Sequence, residues 1–364
     1  MVAGPQRKGS RAGQIKAAVT SFDVARVAQV SQSAVSRTFT PGASVSDATR
    51  RRVLEAARKL GYRPNAHARS LITRRSRIIG LVLSYLENLF YPGALQRLAE
   101  RLQADGYHVL LFVNDTPNAD DLVTEILRYH VDGIVLTATT LSSGLAQRCA
   151  SANIPVVLFN RVMAQASAAT HSVSSVRSDN VSGGRALAHF LADAGHRRVA
   201  FVAGNEESST NLERERGFRE GLTERGLRIW ARGVGNYDFE QAKGAARELF
   251  GTAAERPDAV FVASDHMAFA VMDTLRFELG LRIPEDVSVV GFDDVPQAAW
   301  PSYALTTYRQ PVQPMVDAVV SLLRRQLHDD EVAPPEDVVF PGELVVRGSA
   351  RRAATRRLAE RRGK

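Results

Sequence analysis

Carboxylates, carboxamides, hydroxyls and an arginine recur directly after apolar runs in this chain: Ser84-Tyr85, Asn114-Asp115, Asn160-Arg161, Asn205, Ser264-Asp265 and Asp293-Asp294. In open parallel sheets ligands bind beyond the carboxyl ends of the strands, so these are the positions at which a site would form. Carboxylates and amides with two nearby aromatics, Phe90 and Tyr91, suit a small polar molecule such as a sugar. Acid–base and metal chemistry have weaker support. Asp293-Asp294 has no partnered histidine, and the single cysteine excludes both an intrachain disulfide and a Cys/His zinc spacing. GxGxxG, GxxxxGK(S/T), GxSxG and HExxH are all missing. Cys149 falls in a helical stretch without an activating base and reads as packing. The expectation is a binding protein with no catalytic residue, no metal and no cofactor.

The elements that must carry these residues follow from the apolar pattern. Near-continuous runs at 78–83, 108–113, 133–136, 155–159, 199–203, 259–263 and 287–292 alternate with helical stretches such as 93–105, 181–194 and 241–250. Apolar strands alternating with helices predict parallel sheets covered on both faces. The unit Val131-Asp132-Gly133-Ile134-Val135-Leu136 recurs as Pro257-Asp258-Ala259-Val260-Phe261-Val262, 126 residues on, which favours two similar lobes over one long sheet.

Ahead of these lobes the pattern is helical. Thr20-Ser21-Phe22-Asp23 fits a capping box, in which each side chain satisfies an orphaned backbone N–H. Val24, Val27 and Ala28 follow at helical spacing; Ser31 caps a second helix with Ala34 and Val35 inward and Gln32, Ser33, Ser36 and Arg37 outward. Ser46 opens a third, with Val53, Leu54, Ala57 and Leu60 as its apolar face and Gly61 as its stop. The next segment holds His67, Arg69, Arg74, Arg75 and Arg77, with Leu71 and Ile72 as its large apolar residues. The overall charge of +8 divides unevenly: residues 1–77 carry +13, residues 78–346 carry −12 and residues 347–364 carry +7. A basic head on an acidic body suggests a polyanion-binding module joined to a sensor of something else. No apolar run reaches the ~18 residues of a membrane helix, and the N-terminus lacks a signal peptide's apolar stretch, so the sequence reads as soluble and cytoplasmic.

Thr20-Ser21-Phe22-Asp23-Val24-Ala25-Arg26-Val27-Ala28, Val30-Ser31, Val35-Ser36-Arg37 and Leu60-Gly61-Tyr62-Arg63-Pro64-Asn65-Ala66 resemble the head of the lactose-repressor (LacI/GalR) family. The resemblance runs on through Ile79-Gly80-Leu81-Val82, Asp132-Gly133-Ile134, Val156-Val157-Leu158-Phe159-Asn160-Arg161, Gly217-Phe218, Ser288-Val289-Val290-Gly291-Phe292-Asp293-Asp294 and Leu305-Thr306-Thr307, covering roughly residues 20–349. It implies a small all-α helix-turn-helix head and a bilobal α/β domain of two parallel-sheet lobes, similar to periplasmic binding proteins. The implied order is a basic tail (1–19), the helix-turn-helix (20–63), a hinge helix or linker (64–77), an effector-binding and dimerisation domain (78–349) and a basic C-terminal tail (350–364). The chain should cross between lobes three times, with 78–178 and 308–335 in one lobe and the rest, including a last strand at 338–346, in the other.

The family pattern also implies roles. In a helix-turn-helix the second helix enters the major groove, which puts Gln32, Ser33 and Arg37 at base edges and Ser31 and Ser36 on phosphates. Leu71 matches the hinge leucine that wedges into the minor groove, and Asn65 and Arg69 of the same basic segment join the DNA-contacting set. Arg214, Phe239, Ser264, Asp265 and Asp293 match effector contacts, to which the strand-end reading adds Tyr85, Phe90, Asn160 and Arg161. The implied protein is a homodimeric repressor on a roughly palindromic double-stranded operator, controlled by a small effector, a sugar or sugar acid; Arg161 with Arg214 points to the acid. A solute-binding protein and an α/β enzyme with an incidental basic head are the rivals; the missing signal-peptide stretch and residues 20–77 oppose the first, and the missing catalytic motifs oppose the second. Two departures stand out. Gln29 takes the place of the usual turn glycine, where a positive φ would cost about 1 kcal/mol. The tail carries arginine pairs at 351–352, 356–357 and 361–362 in place of a leucine heptad, which predicts a dimer and no coiled-coil seam.

Overall fold

The computed structural model describes residues 19–40, 42–63, 75–84, 86–114, 120–138, 142–163, 173–328 and 334–353. Asn65, Arg69, Leu71 and Tyr85 lie outside the described residues, as do almost all of the N-terminal tail and most of the hinge segment and C-terminal tail. The chain divides into two units, residues 1–76 and 77–364.

In the first unit, α1 (Ser21–Ala28) opens on the expected capping box, with Thr20 and Asp23 each bonded to the other's backbone N–H. Ser31 caps α2 (Gln32–Thr38), Ser46 caps α3 (Asp47–Leu60), and Gly61 ends α3 in the left-handed region. Val24, Val35 and Val53 are wholly buried among Ala25, Ala28, Ala56 and Ala57. Two expected core residues face outward instead, Val27 at 43% exposure and Leu54 at 42%. A core this small takes one or two side chains per turn, so large residues at the margin of the stripe stay half in water.

Gln29 ends α1 at φ 51°, ψ 51°, the strained conformation foreseen for it. Gln29→Gly should therefore raise the stability of the head by roughly 0.5–1 kcal/mol, read as a higher unfolding midpoint of residues 1–76 within the intact protein. A lower midpoint would contradict the strain.

The second unit holds two six-stranded sheets. The first contains β1 (Ile78–Leu83), β2 (His108–Val113), β3 (Gly133–Thr137), β4 (Val156–Phe159), β5 (Val173–Ser178) and β11 (Asp337–Phe340), in the order β11-β5-β4-β3-β1-β2, all parallel. The second contains β6 (Val199–Ala203), β7 (Ala231–Val234), β8 (Ala259–Val262), β9 (Ser288–Asp293), β10 (Thr306–Arg309) and β12 (Glu343–Val345), in the order β12-β10-β9-β8-β6-β7. Only β12 runs antiparallel, against β10. Connecting helices are α4 (Phe90–Ala104), α5 (Asp120–Ile126), α6 (Ser143–Ser151), α7 (Asn180–Asp193), α8 (Ser209–Thr223), α9 (Phe239–Phe250), α10 (Asp265–Asp273) and α11 (Val312–His328).

The chain crosses between lobes three times, as expected: after Ser178, after Arg309 and after Phe340. The assignment of the ends needs correcting. Tyr308 belongs to β10 in the second lobe, while α11 packs on α4, β4 and β5 of the first. The single last strand expected at 338–346 is two strands in different sheets, because Pro341-Gly342 interrupts it and proline offers no N–H to a ladder. Three further strands escape the apolar-run criterion. β5 reads Val-Ser-Ser-Val-Arg-Ser, β7 reads Ala-Arg-Gly-Val, and β10 reads Thr-Thr-Tyr-Arg.

Candidate functional site

The exposed face of α2 carries Gln32, Ser33, Ser36 and Arg37, while Ala34 and Val35 turn inward. That is the division a groove-reading helix requires, and the 3.6-residue period produces it from these positions. Ser31 Oγ accepts the Ala34 N–H at 3.2 Å and lies 2.9 Å from Ser33 Oγ. Gln32 Nε2 donates to Ser21 Oγ at 3.3 Å, so the start of α1 steadies the side chain. Phe22, next to Ser21, is a large apolar side chain left 68% exposed.

In the second unit, polar residues converge where the strands end and the lobes meet. Phe218 packs with Phe201 and Phe261 on the second sheet. Arg214 stands one helical turn earlier on α8 and so points at the same sheet, where its guanidinium covers the Phe292 ring at 3.8 Å. Its Nε donates to Asn180 Oδ1 at 3.0 Å and a terminal nitrogen to the Ala263 carbonyl at 2.6 Å; the other lies 3.4 Å from Asp293 Oδ1. Arg161, after β4 of the first lobe, donates to the Asn160 carbonyl at 2.9 Å and to Thr210 Oγ1 at 2.8 Å on the second. Thr210 lies 3.2 Å from the Tyr237 hydroxyl. All of these polar residues are at most 6% exposed.

Burial pushes the Asp293 carboxyl up to about 6; Arg214, a hydrogen bond from Gln310 (2.7 Å) and other contacts pull it back. Burial, then the charge of Asp293, holds Asp265 well above the usual carboxylate range. The charges of Arg161, Asp293 and Arg214 all reach the Tyr91 hydroxyl, whose pKa burial raises. Several buried polar atoms in this region have no hydrogen-bond partner among the described residues: Asn160 Oδ1, Gln310 Oε1, Asn211 Nδ2 and His266 Nε2. Buried polar groups are normally satisfied, so such a cluster marks a place for water or ligand. A cavity of about 520 Å³ opens between the lobes, lined by Ser84, Glu87 and Asn114 on one side and Asn205, Tyr237 and Asp238 on the other.

Of the residues singled out from sequence, Asn160, Arg161, Arg214 and Asp293 come together. Phe90 stacks on Phe159, 6.3 Å between centroids, in the core of the first lobe. Ser264 caps α10, and Asp265 spends its oxygens on Thr307 Oγ1 (2.6 Å) and the Val295 N–H (3.0 Å), both within the second lobe. Phe239 is half-buried beside the His266 ring. Asp294 pairs with Arg309 at 2.7 Å and Arg347 at 2.6 Å, an ion-pair role for the second of the adjacent carboxylates. Among the described residues no group of three His, Cys, Asp or Glu is placed to hold a metal, and no helix is long and apolar enough to cross a membrane. The sequence missed Asn180, Tyr237 and Gln310. Each follows a strand that was itself missed (β5, β7 and β10), so the strand-end rule would have found all three had those strands been recognised.

A helical DNA-reading head and a two-lobed domain with a polar cleft define a ligand-responsive DNA-binding protein, and known proteins agree. Residues 22–65 match the family described as bacterial regulatory proteins, lacI family, and residues 188–350 match the periplasmic binding protein-like domain. The HTH-type transcriptional regulator CelR of Thermobifida fusca is 34% identical over 334 residues, spanning 90% of this chain and 96% of CelR. Catabolite control protein A of Priestia megaterium is 30% identical, spanning 86% and 94%. Among solved structures, a complex of the transcriptional regulator CelR with cellobiose has a TM-score of 0.68 at 31% identity, covering 91% of this chain and all of that one. The lac repressor dimer bound to operator and the anti-inducer ONPF has a TM-score of 0.78 at 26% identity, covering 91% and 99%. The chain belongs to the lacI family of bacterial regulatory proteins. Its relatives are transcriptional regulators, not enzymes.

Proposed function

We propose that this regulator is a sequence-specific repressor, working in the cytoplasm as a homodimer on a roughly palindromic double-stranded operator. Its operator affinity is governed by a small polar effector of the carbohydrate class, a sugar or sugar acid, held between the two lobes. The observation that carries the effector reading is that two buried acceptors at strand ends, Asn160 Oδ1 and Gln310 Oε1, have no partner among the described residues, while Arg161 next to Asn160 carries donors. Hydroxyl groups both donate and accept, so a polyol satisfies both kinds at once. A transcriptional regulator CelR has been solved in complex with cellobiose, and the lac repressor dimer with operator, which supports the two halves of the reading. A ligand that binds one degree of lobe closure better than another shifts that equilibrium, and with it the DNA-bound fraction.

On DNA, Gln32, Ser33 and Arg37 are the base-reading set, with Ser31 and Ser36 on phosphates. Asn65 and Arg69 add backbone contacts, and Leu71 is the minor-groove wedge. Footprinting on the DNA upstream of the protein's own gene at ~0.1 M salt should reveal a protected, roughly palindromic site. Its absence would sink the proposal. In a randomised-site selection, Gln32→Ala should relax preference at one position of each half-site by about 1–3 kcal/mol. An unchanged preference would remove Gln32 from the reading set.

A further inference from the structure

The two arginines of the inner cleft differ in what they leave for a ligand. Arg214 is matched by Asp293, by two further acceptors and by the Phe292 ring. Arg161 has the Asn160 carbonyl and Thr210, and its charge also acts on Asp293. The outer chamber has the opposite character. Its polar lining includes two carboxylates, Glu87 of the first lobe and Asp238 of the second, and four carboxamides, Asn114, Asn205, Asn236 and Gln241, with no lysine or arginine among the described residues. Glu87 and Asp238 both act on the His266 imidazole, so they face one end of the cleft from opposite lobes.

One residue touches both the chamber and the inner group. The Tyr237 side chain lines the chamber, while its hydroxyl meets Thr210, the partner of Arg161. At about 520 Å³ the chamber falls in the range that holds drug-sized molecules. A single hexose, with about a dozen non-hydrogen atoms, leaves much of such a space to water. Carboxamides and carboxylates together accept and donate to neutral hydroxyls, whereas an anionic ligand group here would meet like charge.

We infer that the effector is an uncharged carbohydrate of at least two sugar rings, held in the chamber between Glu87 and Asp238. This rests on the carbohydrate reading above and narrows it, excluding the sugar acid that the arginines alone suggest.

Titration calorimetry on the full chain tests it with glucose, cellobiose, maltose and digalacturonate. At least one neutral disaccharide should bind about tenfold or more tighter than glucose and than digalacturonate. In a Glu87→Gln/Asp238→Asn double variant, the margin against digalacturonate should shrink about tenfold, with an unchanged thermal midpoint as the check on folding. Digalacturonate binding as tightly as the neutral disaccharides would overturn the inference while leaving the carbohydrate reading in place. Glucose binding as tightly as either disaccharide would remove the second ring. If none of the four binds although operator protection is intact, both the inference and the carbohydrate reading fall.

Discussion

Replacing Gly217 by alanine is expected to cost roughly 3–5 kcal/mol of stability, although it adds a single methyl group to a helix. Gly217 sits where α8 crosses α7. A Cβ there would lie 2.7 Å from the Val181 carbonyl carbon and 2.8 Å from its Cα, inside any real contact, and its nearest neighbour is backbone that cannot rotate away. Gly184 makes the reciprocal approach from α7, its absent Cβ directed at the backbone of Arg214 and Phe218. The helices must therefore separate, and the site separates with them, because Asn180 on α7 holds Arg214 on α8. Gly244→Ala makes the internal comparison. That glycine lies within α9 with nothing within 4 Å of the added carbon, so the same change should stabilise by about 0.5–1 kcal/mol through helix propensity. Urea denaturation of both variants checks the pair; equal and small effects would refute the close crossing.

Arg214→Met is the second large effect, and its size should depend on pH. The substitution strips a buried carboxylate of its partner, a change that typically costs 3–5 kcal/mol. Asp293 has one escape, which is to take up a proton. Its carboxyl already sits at about 6, well above the ordinary aspartate range, so the fold favours the protonated form. The associated stability is fully present below pH ~4 and is lost as pH rises through about 6. Without Arg214 to pull it down, the folded-state value rises further, and the loss extends to higher pH. The deficit of the variant relative to the parent should therefore be about 1–2 kcal/mol smaller near pH 5 than near pH 8. Denaturation curves at the two pH values measure it, and a pH-independent deficit would show that Asp293 is not the group left exposed to the loss.

The helix caps of the head were fully legible because capping is local. Thr20 with Asp23, Ser31, Ser46 and Gly61 act within three or four residues of themselves, and each does what its neighbours in sequence imply. Six of the seven apolar runs became strands for a similar reason, since a strand buried on both faces must be apolar throughout; β2, at the sheet edge, is apolar yet half exposed. β5, β7 and β10 were not legible. They are short and rich in Ser, Thr and Arg, and nothing in them alternates strongly enough to be told from loop. Each is a strand only because a neighbour supplies the hydrogen-bonding edge.

The consequence reaches the cleft. Charge, periodicity and strand ends are properties of consecutive residues, so a basic helical head, an acidic two-lobed body and the strand-end positions of Asn160, Arg161 and Asp293 could be read directly, while Arg214, inside α8, came from the family pattern. Which of these side chains meet was settled by the fold. It turned Phe90 into the first lobe's core and occupied Asp265 with Thr307, and it brought Asn180, Tyr237 and Gln310 to the site from the ends of strands β5, β7 and β10. Those choices depend on how strands order themselves within each sheet and where the chain crosses between lobes. Both are fixed by pairing between residues tens to hundreds of positions apart, over which sequence periodicity carries no information.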